Sequence, residues 1–285
     1  MKVLRTVSEL RQAMQQARDA GLSIGLVPTM GALHAGHMSL IDTARKQNDV
    51  VVASVFVNPT QFNNPDDLRT YPRTEEADCK MLTEHGCDYA FIPSVEEMYP
   101  QEDTRVFNLG EVADVMEGAM RPGHFNGVAQ VVSKLFSMVT PTRAYFGEKD
   151  FQQIAVIRRM VQLEGFDLEI VPCPIKREED GLALSSRNVR LTPEGRKHAP
   201  AINRALVQSL TMAQNHTVED VKKWVVDAVN AEPTLTVEYY EIADALTMQP
   251  TDSWDNPNGV VGCITVHCGD VRLIDNILYT QPKRK

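Results

Sequence analysis

The chain has 285 residues, of which 43% are hydrophobic and 24% are charged, a composition expected of a soluble globular protein with about two domains. Its 29 Lys and Arg residues against 38 Asp and Glu residues give a net charge of −9. That balance argues against the dense basic surface of a sequence-independent nucleic-acid binder, although a small anion could still bind in a local basic pocket.

The first 60 residues predict a helix followed by a βαβ unit. Thr6 and Glu9 are spaced as a capping box at the start of the first helix, and Gly21 ends it. A short strand over 24–28 precedes the segment MGALHAGH, which leads into a helix over 38–46. The run VVVASVFV over 50–57 then predicts a strand that is buried on both faces, as in a parallel sheet.

Strands and helices continue to alternate as far as residue 175. The predicted helices cover 73–85, 128–138 and 151–163, and the predicted strands cover 89–92, 143–146 and 168–175. Such alternation predicts an α/β fold with a Rossmann-like open parallel sheet. Ligands of such sheets bind at the carboxyl ends of the strands.

The pattern changes near residue 176, where KREEDGLALSSRN has no regular periodicity. Beyond it, the sequence predicts helices over 193–213 and 218–229 and strands over 236–242 and 260–267. We therefore expect one domain over 1–176 and a smaller α+β domain over 177–285, with a frayed tail QPKRK.

The location is expected to be cytoplasmic. The first residues lack the apolar stretch of a signal peptide, and no window approaches the roughly 18 apolar residues of a membrane span, so no membrane partner is expected. The five cysteines are odd in number and none are spaced CxxC, which favours reduced thiols over disulfides or structural zinc.

The strongest chemical signal is the segment PTMGALHAGH, in which His34 and His37 follow a strand and open a helix. Their spacing puts both imidazoles on one helical face, and the N-terminus of the helix favours a phosphate. Gly31 and Gly36 permit close approach of the backbone to a ligand. A surface histidine pair or half of a metal site is the simpler alternative, but the strand–turn–helix context favours phosphate chemistry.

Three further segments could contact an anionic ligand. GEKD at 147–150 follows a strand, LSSRN at 184–188 carries two hydroxyls and a guanidinium, and NPTQF at 58–62 follows the buried strand over 50–57. On its own, the first is better explained as an exposed charged turn, and the alternative for the second is a polar linker. Neither GxxxxGK[ST] nor GxGxxG occurs, which disfavours P-loop NTPases and NAD- or FAD-binding Rossmann enzymes.

Six motifs, in this order, resemble those of the pantothenate synthetase (pantoate–β-alanine ligase) family: PTMGALHAGHMSLI, FVNPTQF, TYPRT, RPGHFNGV, FGEKDFQQ and DGLALSSRN. The resemblance covers nearly the whole chain and places it in the HxGH nucleotidyltransferase superfamily. It implies ATP-dependent condensation of (R)-pantoate with β-alanine through a pantoyl-adenylate, in coenzyme A biosynthesis. It also implies Mg²⁺ and a cytoplasmic homodimer. The domain over 1–176 would then bind the nucleotide and pantoate, and the domain over 177–285 would act as a lid.

The resemblance assigns roles to residues of this chain. The implied ATP-binding residues are Met30, Gly31, Ala32, Leu33, His34, Ala35, Gly36, His37, Gly147, Glu148, Lys149, Asp150, Lys176, Leu184, Ser185, Ser186 and Arg187. The implied catalytic residues are His34, His37, Lys149, Ser185, Ser186 and Arg187. The implied substrate-binding residues are Gln61 and Gln153, with Asn58, Tyr71 and Arg121 as weaker candidates. Tyr71 could equally be a core residue, and Arg121 could equally be part of a surface ion pair. The sequence identifies no Mg²⁺ ligand, although Asp78 and Asp150 are conceivable ones.

Three alternatives remain open at this point. An HxGH nucleotidyltransferase could pass a nucleotide to a phosphate acceptor, although a pocket built on glutamines fits a carboxylate better. A tRNA-charging enzyme is disfavoured by the net charge of −9 and by the small second domain. A non-catalytic nucleotide sensor is disfavoured because His34, His37, Lys149 and Arg187 are all present.

Overall fold

The computed structural model describes residues 1–282, and the last three residues of the QPKRK tail, whose fraying the sequence predicts, lie outside them. Its contacts divide the chain into two compact units. The first consists of Met1–Leu109, Arg121–Glu148 and Val156–Pro174, and the second of Gly110–Met120, Lys149–Ala155 and the chain from Ile175 onward. The domain division at residue 176 and the function of the second part as a lid stay predictions.

The first unit is built on a six-stranded parallel sheet, which confirms the predicted open α/β architecture. Its strands are β1 (Lys2–Leu4), β2 (Ile24–Thr29), β3 (Val50–Val55), β4 (Tyr89–Phe91), β5 (Arg143–Gly147) and β6 (Glu169–Cys173). They lie in the order β1-β4-β3-β2-β5-β6. All six residues of β3 are buried, including Ser54, as its mainly apolar and β-branched sequence predicts for a central parallel strand.

Helices alternate with these strands and continue through the second unit. They are α1 (Val7–Asp19), α2 (Ala35–Gln47), α3 (Pro65–Thr70), α4 (Glu75–Glu84), α5 (Val95–Met98), α6 (Glu117–Met120), α7 (His124–Val139), α8 (Phe151–Glu164), α9 (Pro193–His198), α10 (Ala201–Met212) and α11 (Val218–Asn230). The predicted capping box of α1 is confirmed, since Thr6 Oγ1 accepts the Glu9 N–H at 3.2 Å and Glu9 Oε2 accepts the Thr6 N–H at 3.0 Å. Two helices begin earlier than predicted, α2 by three residues and α7 by four.

The second unit contains a three-stranded antiparallel sheet in the order β7-β8-β9, which confirms the predicted α+β character. Its strands are β7 (Leu235–Asp244), β8 (Val260–Cys268) and β9 (Val271–Thr280). Apolar residues of α10 and α11 pack with the sheet in one core, to which α11 contributes Val218, Val221, Val225 and Val229.

Two features of this unit differ from the sequence prediction. The predicted helix over 193–213 is wrong as a single element, because α9 ends at His198 and α10 begins at Ala201 after Pro200, which has no N–H to continue the helical ladder. The sequence pattern also missed β9. The polar pair Asp275–Asn276 interrupts its apolar alternation, although both residues are buried.

Within residues 1–282, no helix combines the length and the apolar composition that crossing a bilayer requires.

Candidate active site

The order of the parallel sheet locates its ligand site. From β2 the chain proceeds to β3 and β4 on one side, whereas β5 and β6 lie on the other side. The boundary between β2 and β5 is therefore the point at which the strand order reverses, where open α/β sheets bind ligands at the carboxyl ends of the strands. The segment beginning at Met30 leaves the carboxyl end of β2, and Gly147 is the last residue of β5. The two strongest motifs thus leave the two strands that the topology selects.

The turn from Thr29 to Leu33 has a strained backbone. Gly31 has φ +80°, and a Cβ there would lie 3.1 Å from both Asp78 and Val55. Ala32 has φ +50°, a left-handed conformation that costs a residue with a Cβ roughly 1–2 kcal/mol. Such strain persists only where the surroundings impose it, and it is common at ligand sites.

Asp78 supplies that constraint from α4. Its carboxylate is 1% exposed and accepts the backbone N–H of Ala32 at 3.0 Å and of Leu33 at 2.8 Å. It also accepts the Thr74 hydroxyl at 3.0 Å. The suggestion that Asp78 is a Mg²⁺ ligand therefore has no support from its geometry, because both carboxylate oxygens are already engaged in holding the turn.

Replacing Asp78 with alanine is expected to lower the free energy of unfolding by about 1–3 kcal/mol for each of the two backbone N–H groups that lose their acceptor. Urea denaturation of the full-length chain measures the change. Glu76→Ala, at an exposed position in the first turn of the same helix, is the matched control and should change stability much less. Equal stabilities of the two variants would contradict the anchoring role of Asp78.

His34 and His37 cap α2 reciprocally. His34 is the N-cap residue, and its Nδ1 accepts the N–H of Gly36 at 3.1 Å. His37 Nδ1 accepts the N–H of His34 at 3.3 Å, and the ring centroids lie 4.1 Å apart. A neutral imidazole that accepts through Nδ1 carries its proton on Nε2. Each ring can therefore donate to an anion from Nε2, at a helix terminus whose dipole also attracts an anion.

Asn58 and Gln61 lie beside this turn. Asn58 is 1% exposed, and its Nδ2 lies 3.1 Å from Gln61 Oε1 and 3.2 Å from the Gly127 carbonyl oxygen. Gln61 Nε2 lies 3.2 Å from Met30 Sδ, which brings the NPTQF and PTMG segments together. The buried Asn58 therefore orients the side chain of Gln61, which is half-buried next to the turn.

Tyr71 and Arg121 have different surroundings. Tyr71 is 5% exposed and packs edge-on against Phe62 with ring centroids 5.8 Å apart, a core environment. The Arg121 guanidinium lies 3.4 Å from the Gln61 carbonyl oxygen and 3.2 Å from His124 Nε2. Arg121 therefore belongs to the Gln61 neighbourhood.

Sequence reasoning missed two polar residues of this neighbourhood. His124 is 7% exposed, and its Nδ1 lies 2.8 Å from the Gln61 carbonyl oxygen. Tyr99 donates its hydroxyl to Asn58 Oδ1 at 2.8 Å. The motif RPGHFNGV contained a signal for His124, but no local pattern marks Tyr99, which meets Asn58 only through the fold.

The GEKD segment continues from β5 into α8. Glu148 to Asp150 form one 3₁₀ turn, and partial burial raises the pKa of Glu148 above its ordinary value. The Lys149 side chain is 18% exposed, with its Nζ 3.9 Å from Asp150 Oδ2. Gln153 follows on α8 and is half-buried, whereas its neighbour Gln152 is buried and bonds to the backbone of the 110–120 segment.

The loop Ser185–Arg187 of the second unit, which the sequence predicts to bind phosphate, directly follows a small hairpin. Leu184 N–H donates to the Lys176 carbonyl at 3.0 Å, and Arg177 and Ala183 form an antiparallel bridge. After the hairpin, Ser185 Oγ accepts the N–H of Arg187 at 3.2 Å. Lys176 itself is exposed, whereas Leu184, Ser185, Ser186 and Arg187 are half-buried.

Within the described part of the chain, the acidic side chains form no metal-binding group of their own. Among residues 1–282, no group of three or more His, Cys, Asp or Glu side chains could hold a metal ion. Asp78 is engaged by backbone N–H groups, and Asp150 lies half-exposed beside Lys149.

Comparison with known proteins places the chain in one family. The family model described as Pantoate-beta-alanine ligase matches residues 2–278. A pantothenate synthetase of Porphyromonas gingivalis is 62% identical over 279 residues, covering 98% of this chain and 99% of that protein. The crystal structure of pantothenate synthetase from Thermus thermophilus has a TM-score of 0.92 at 47% identity, covering 99% of this chain and 100% of that one. A pantoate-beta-alanine ligase from Francisella tularensis, described as complexed with beta-gamma ATP and beta-alanine, has a TM-score of 0.82 at 35% identity and covers 98% of each chain. The chain belongs to the pantoate-beta-alanine ligase family.

Proposed function

We propose that this chain condenses (R)-pantoate with β-alanine at the expense of ATP, giving pantothenate, AMP and pyrophosphate through a pantoyl-adenylate. Family membership and the ATP- and β-alanine-bound state named for the Francisella relative support the proposal. The observation that carries it is the His34–His37 pair, which caps α2 at the reversal point of the sheet. The cytoplasmic homodimer and the place in coenzyme A biosynthesis belong to the same proposal and rest on the family resemblance.

In the first step, a carboxylate oxygen of pantoate attacks the α-phosphorus of ATP. The bond between that phosphorus and the bridging oxygen of the β-phosphate breaks, and pyrophosphate leaves. Charge accumulates on the departing phosphates, so donors already in place lower the barrier. Nε2–H groups of His34 and His37 and the N–H groups at the start of α2 are such donors, and the hydrogen bond from His37 Nε2 stabilises the leaving pyrophosphate. Lys149 and Arg187 provide positive charge, and Ser185 and Ser186 provide hydroxyl donors.

Pantoate is a small hydroxy acid, so its pocket needs polar groups that are held in fixed orientations. Asn58 holds Gln61 in this way, since its Nδ2 lies 3.1 Å from the Gln61 side-chain oxygen. We assign pantoate to Gln61 and Gln153, with Gln61 also contacting β-alanine. The Arg121 guanidinium lies 3.4 Å from the Gln61 carbonyl oxygen, where its positive charge would balance the carboxylate of a bound substrate.

In the second step, the amine of β-alanine attacks the acyl carbon of the adenylate. The carbon–oxygen bond to phosphate breaks, AMP leaves with the electron pair, and the nitrogen loses a proton as the amide forms. Positioning of the two reactants supplies most of the acceleration, because it replaces an encounter in solution. Until this attack occurs, water must be kept from the pantoyl-adenylate, because it would hydrolyse the intermediate.

ATP–pyrophosphate exchange distinguishes the proposed function from its alternatives. Labelled pyrophosphate should enter ATP only when pantoate is present, and β-alanine should not be required. Exchange that depends on a phosphorylated acceptor would instead indicate a nucleotidyltransferase that makes a dinucleotide. The absence of any exchange with intact ATP binding would indicate a nucleotide sensor.

A further inference from the structure

The edge strand β9 carries two buried polar residues that the proposed reaction does not use. Asp275 is 5% exposed and Asn276 is 7% exposed. Buried polar groups require hydrogen-bond partners, so the partners of these two residues show what they hold in place. Both residues lie on the outermost strand of the three-stranded sheet, where other segments of the chain can reach them.

Asp275 holds the base of the hairpin that leads into the Ser185–Arg187 loop. Arg177 donates to Asp275 through both terminal nitrogens, NH1 to Oδ2 at 2.6 Å and NH2 to Oδ1 at 2.9 Å. Arg177 NH1 also donates to the Gly181 carbonyl at 3.1 Å, across the hairpin. A bidentate pair of this kind fixes orientation as well as distance.

The hairpin in turn holds the loop. Asn188 Nδ2 donates to the Ala183 carbonyl at 3.0 Å, which folds the chain after Ser185–Arg187 back onto the hairpin. Displacement of Arg177 from Asp275 would therefore shift the backbone that carries Ser185, Ser186 and Arg187.

Asn276 holds the Lys149 turn. Its Nδ2 donates to the Lys149 carbonyl at 3.1 Å, and its own N–H donates to Asp275 Oδ1 at 2.8 Å. The second bond ties the backbone of Asn276 to the Asp275 carboxylate, so the two supports are joined directly. Lys149, Ser185 and Asp275 moreover line the same small cavity of about 10 Å³, so the two held segments meet beside β9.

We propose that Asp275 and Asn276 are positioning residues that fix the Ser185–Arg187 loop and Lys149 at a set separation for ATP activation. This inference rests on the function proposed above. Neither side chain needs to touch a substrate. Each acts through the backbone or guanidinium that it holds, and together they make one rigid support for two segments that are separated by more than 30 residues in sequence.

A double-mutant cycle tests the inference in the full-length enzyme. Asn276→Leu removes the donor to the Lys149 carbonyl at similar volume, and we expect the kcat of pantoate-dependent ATP–pyrophosphate exchange to fall by about a hundredfold, the size of effect that a 1 Å misplacement can produce. The KM for pantoate should stay unchanged. In a Lys149→Ala background, the same substitution should cause no further loss, because its effect passes through Lys149.

A second cycle combines Asp275→Asn with Arg187→Ala and tests the support of the Ser185–Arg187 loop. The losses of exchange rate in its two single variants should likewise be non-additive in the double variant. Tyr279→Phe is the matched control, since it lies on β9 and loses bonds to Ser209 at 2.6 Å and Tyr240 at 2.5 Å. It should lower the denaturation midpoint yet leave exchange unchanged. If Asn276→Leu does not fold, Asn276→Ser, which is too short to reach the carbonyl, gives the same comparison.

The outcomes separate the inference from the proposed function. Additive losses in both cycles, or wild-type exchange in a folded Asn276 variant, overturn the positioning role while leaving the function intact. Wild-type enzyme that shows no pantoate-dependent exchange overturns the proposed function, and the positioning role falls with it.

Discussion

Replacing His37 with alanine is expected to slow pantoate-dependent ATP–pyrophosphate exchange by about 10²–10³-fold, the usual effect of losing one donor that stabilises developing negative charge. The imidazole stands at the third position of α2, where its Nδ1 accepts the N–H of His34. A neutral ring in this arrangement carries its proton on Nε2, and the proposed function has that N–H donate a hydrogen bond to the leaving pyrophosphate. Rapid-quench measurement of adenylate formation isolates the affected step.

The same substitution removes half of a helix cap, so its effect on stability must be separated from its effect on rate. Loss of a cap lowers stability by about 0.5–2 kcal/mol. His37→Gln keeps a side-chain acceptor at the third helical position, as in an ordinary capping box, but lacks the imidazole. We expect this variant to regain stability and to remain slow. Recovery of both together would show that His37 acts only as a cap.

The architecture of the first unit was predictable because its signals are local. The run at Val50–Val55 is apolar except for Ser54, and burial on both faces is what a central parallel strand requires. The Thr6–Glu9 capping box involves residues three apart, so the sequence contains both of its partners. In contrast, β9 escaped detection because Asp275 and Asn276 look like loop residues until Arg177 and Lys149 are brought to them by the fold.

The candidate site shows the same division between local and distant determinants. The His34–His37 spacing was visible in the sequence, and the structure adds that His34 caps α2 rather than lying inside it. The role of Asp78 could not be predicted, because its partners Ala32 and Leu33 lie about 45 residues earlier in the chain. From sequence alone, the carboxylate of Asp78 could be interpreted as a metal ligand. Only its hydrogen bonds show that it holds the strained turn instead.

Lys149→Ala is expected to slow adenylate formation by at least about a hundredfold, because a cation that offsets charge on the transferring phosphates is lost. The substitution should leave the fold nearly unchanged. The 3.9 Å approach of Lys149 to the half-exposed Asp150 resembles a surface ion pair, which contributes about 0–1 kcal/mol. The backbone carbonyl that Asn276 holds is present in the alanine variant as well, so the turn stays in place.

Lys222→Ala is the matched control for this loss of charge. Lys222 forms a 2.8 Å ion pair with Glu241 in the same unit, and its removal should lower stability slightly without slowing exchange. Lys149→Arg should recover part of the rate, because it keeps a positive charge but replaces a compact ammonium with a planar, larger group. Single-turnover kinetics with saturating ATP distinguish weakened binding from slowed chemistry. If the Lys149→Ala enzyme forms adenylate at the wild-type rate, Lys149 has no role in the reaction. The proposed positioning of the Lys149 carbonyl by Asn276 on β9 would then have no catalytic purpose.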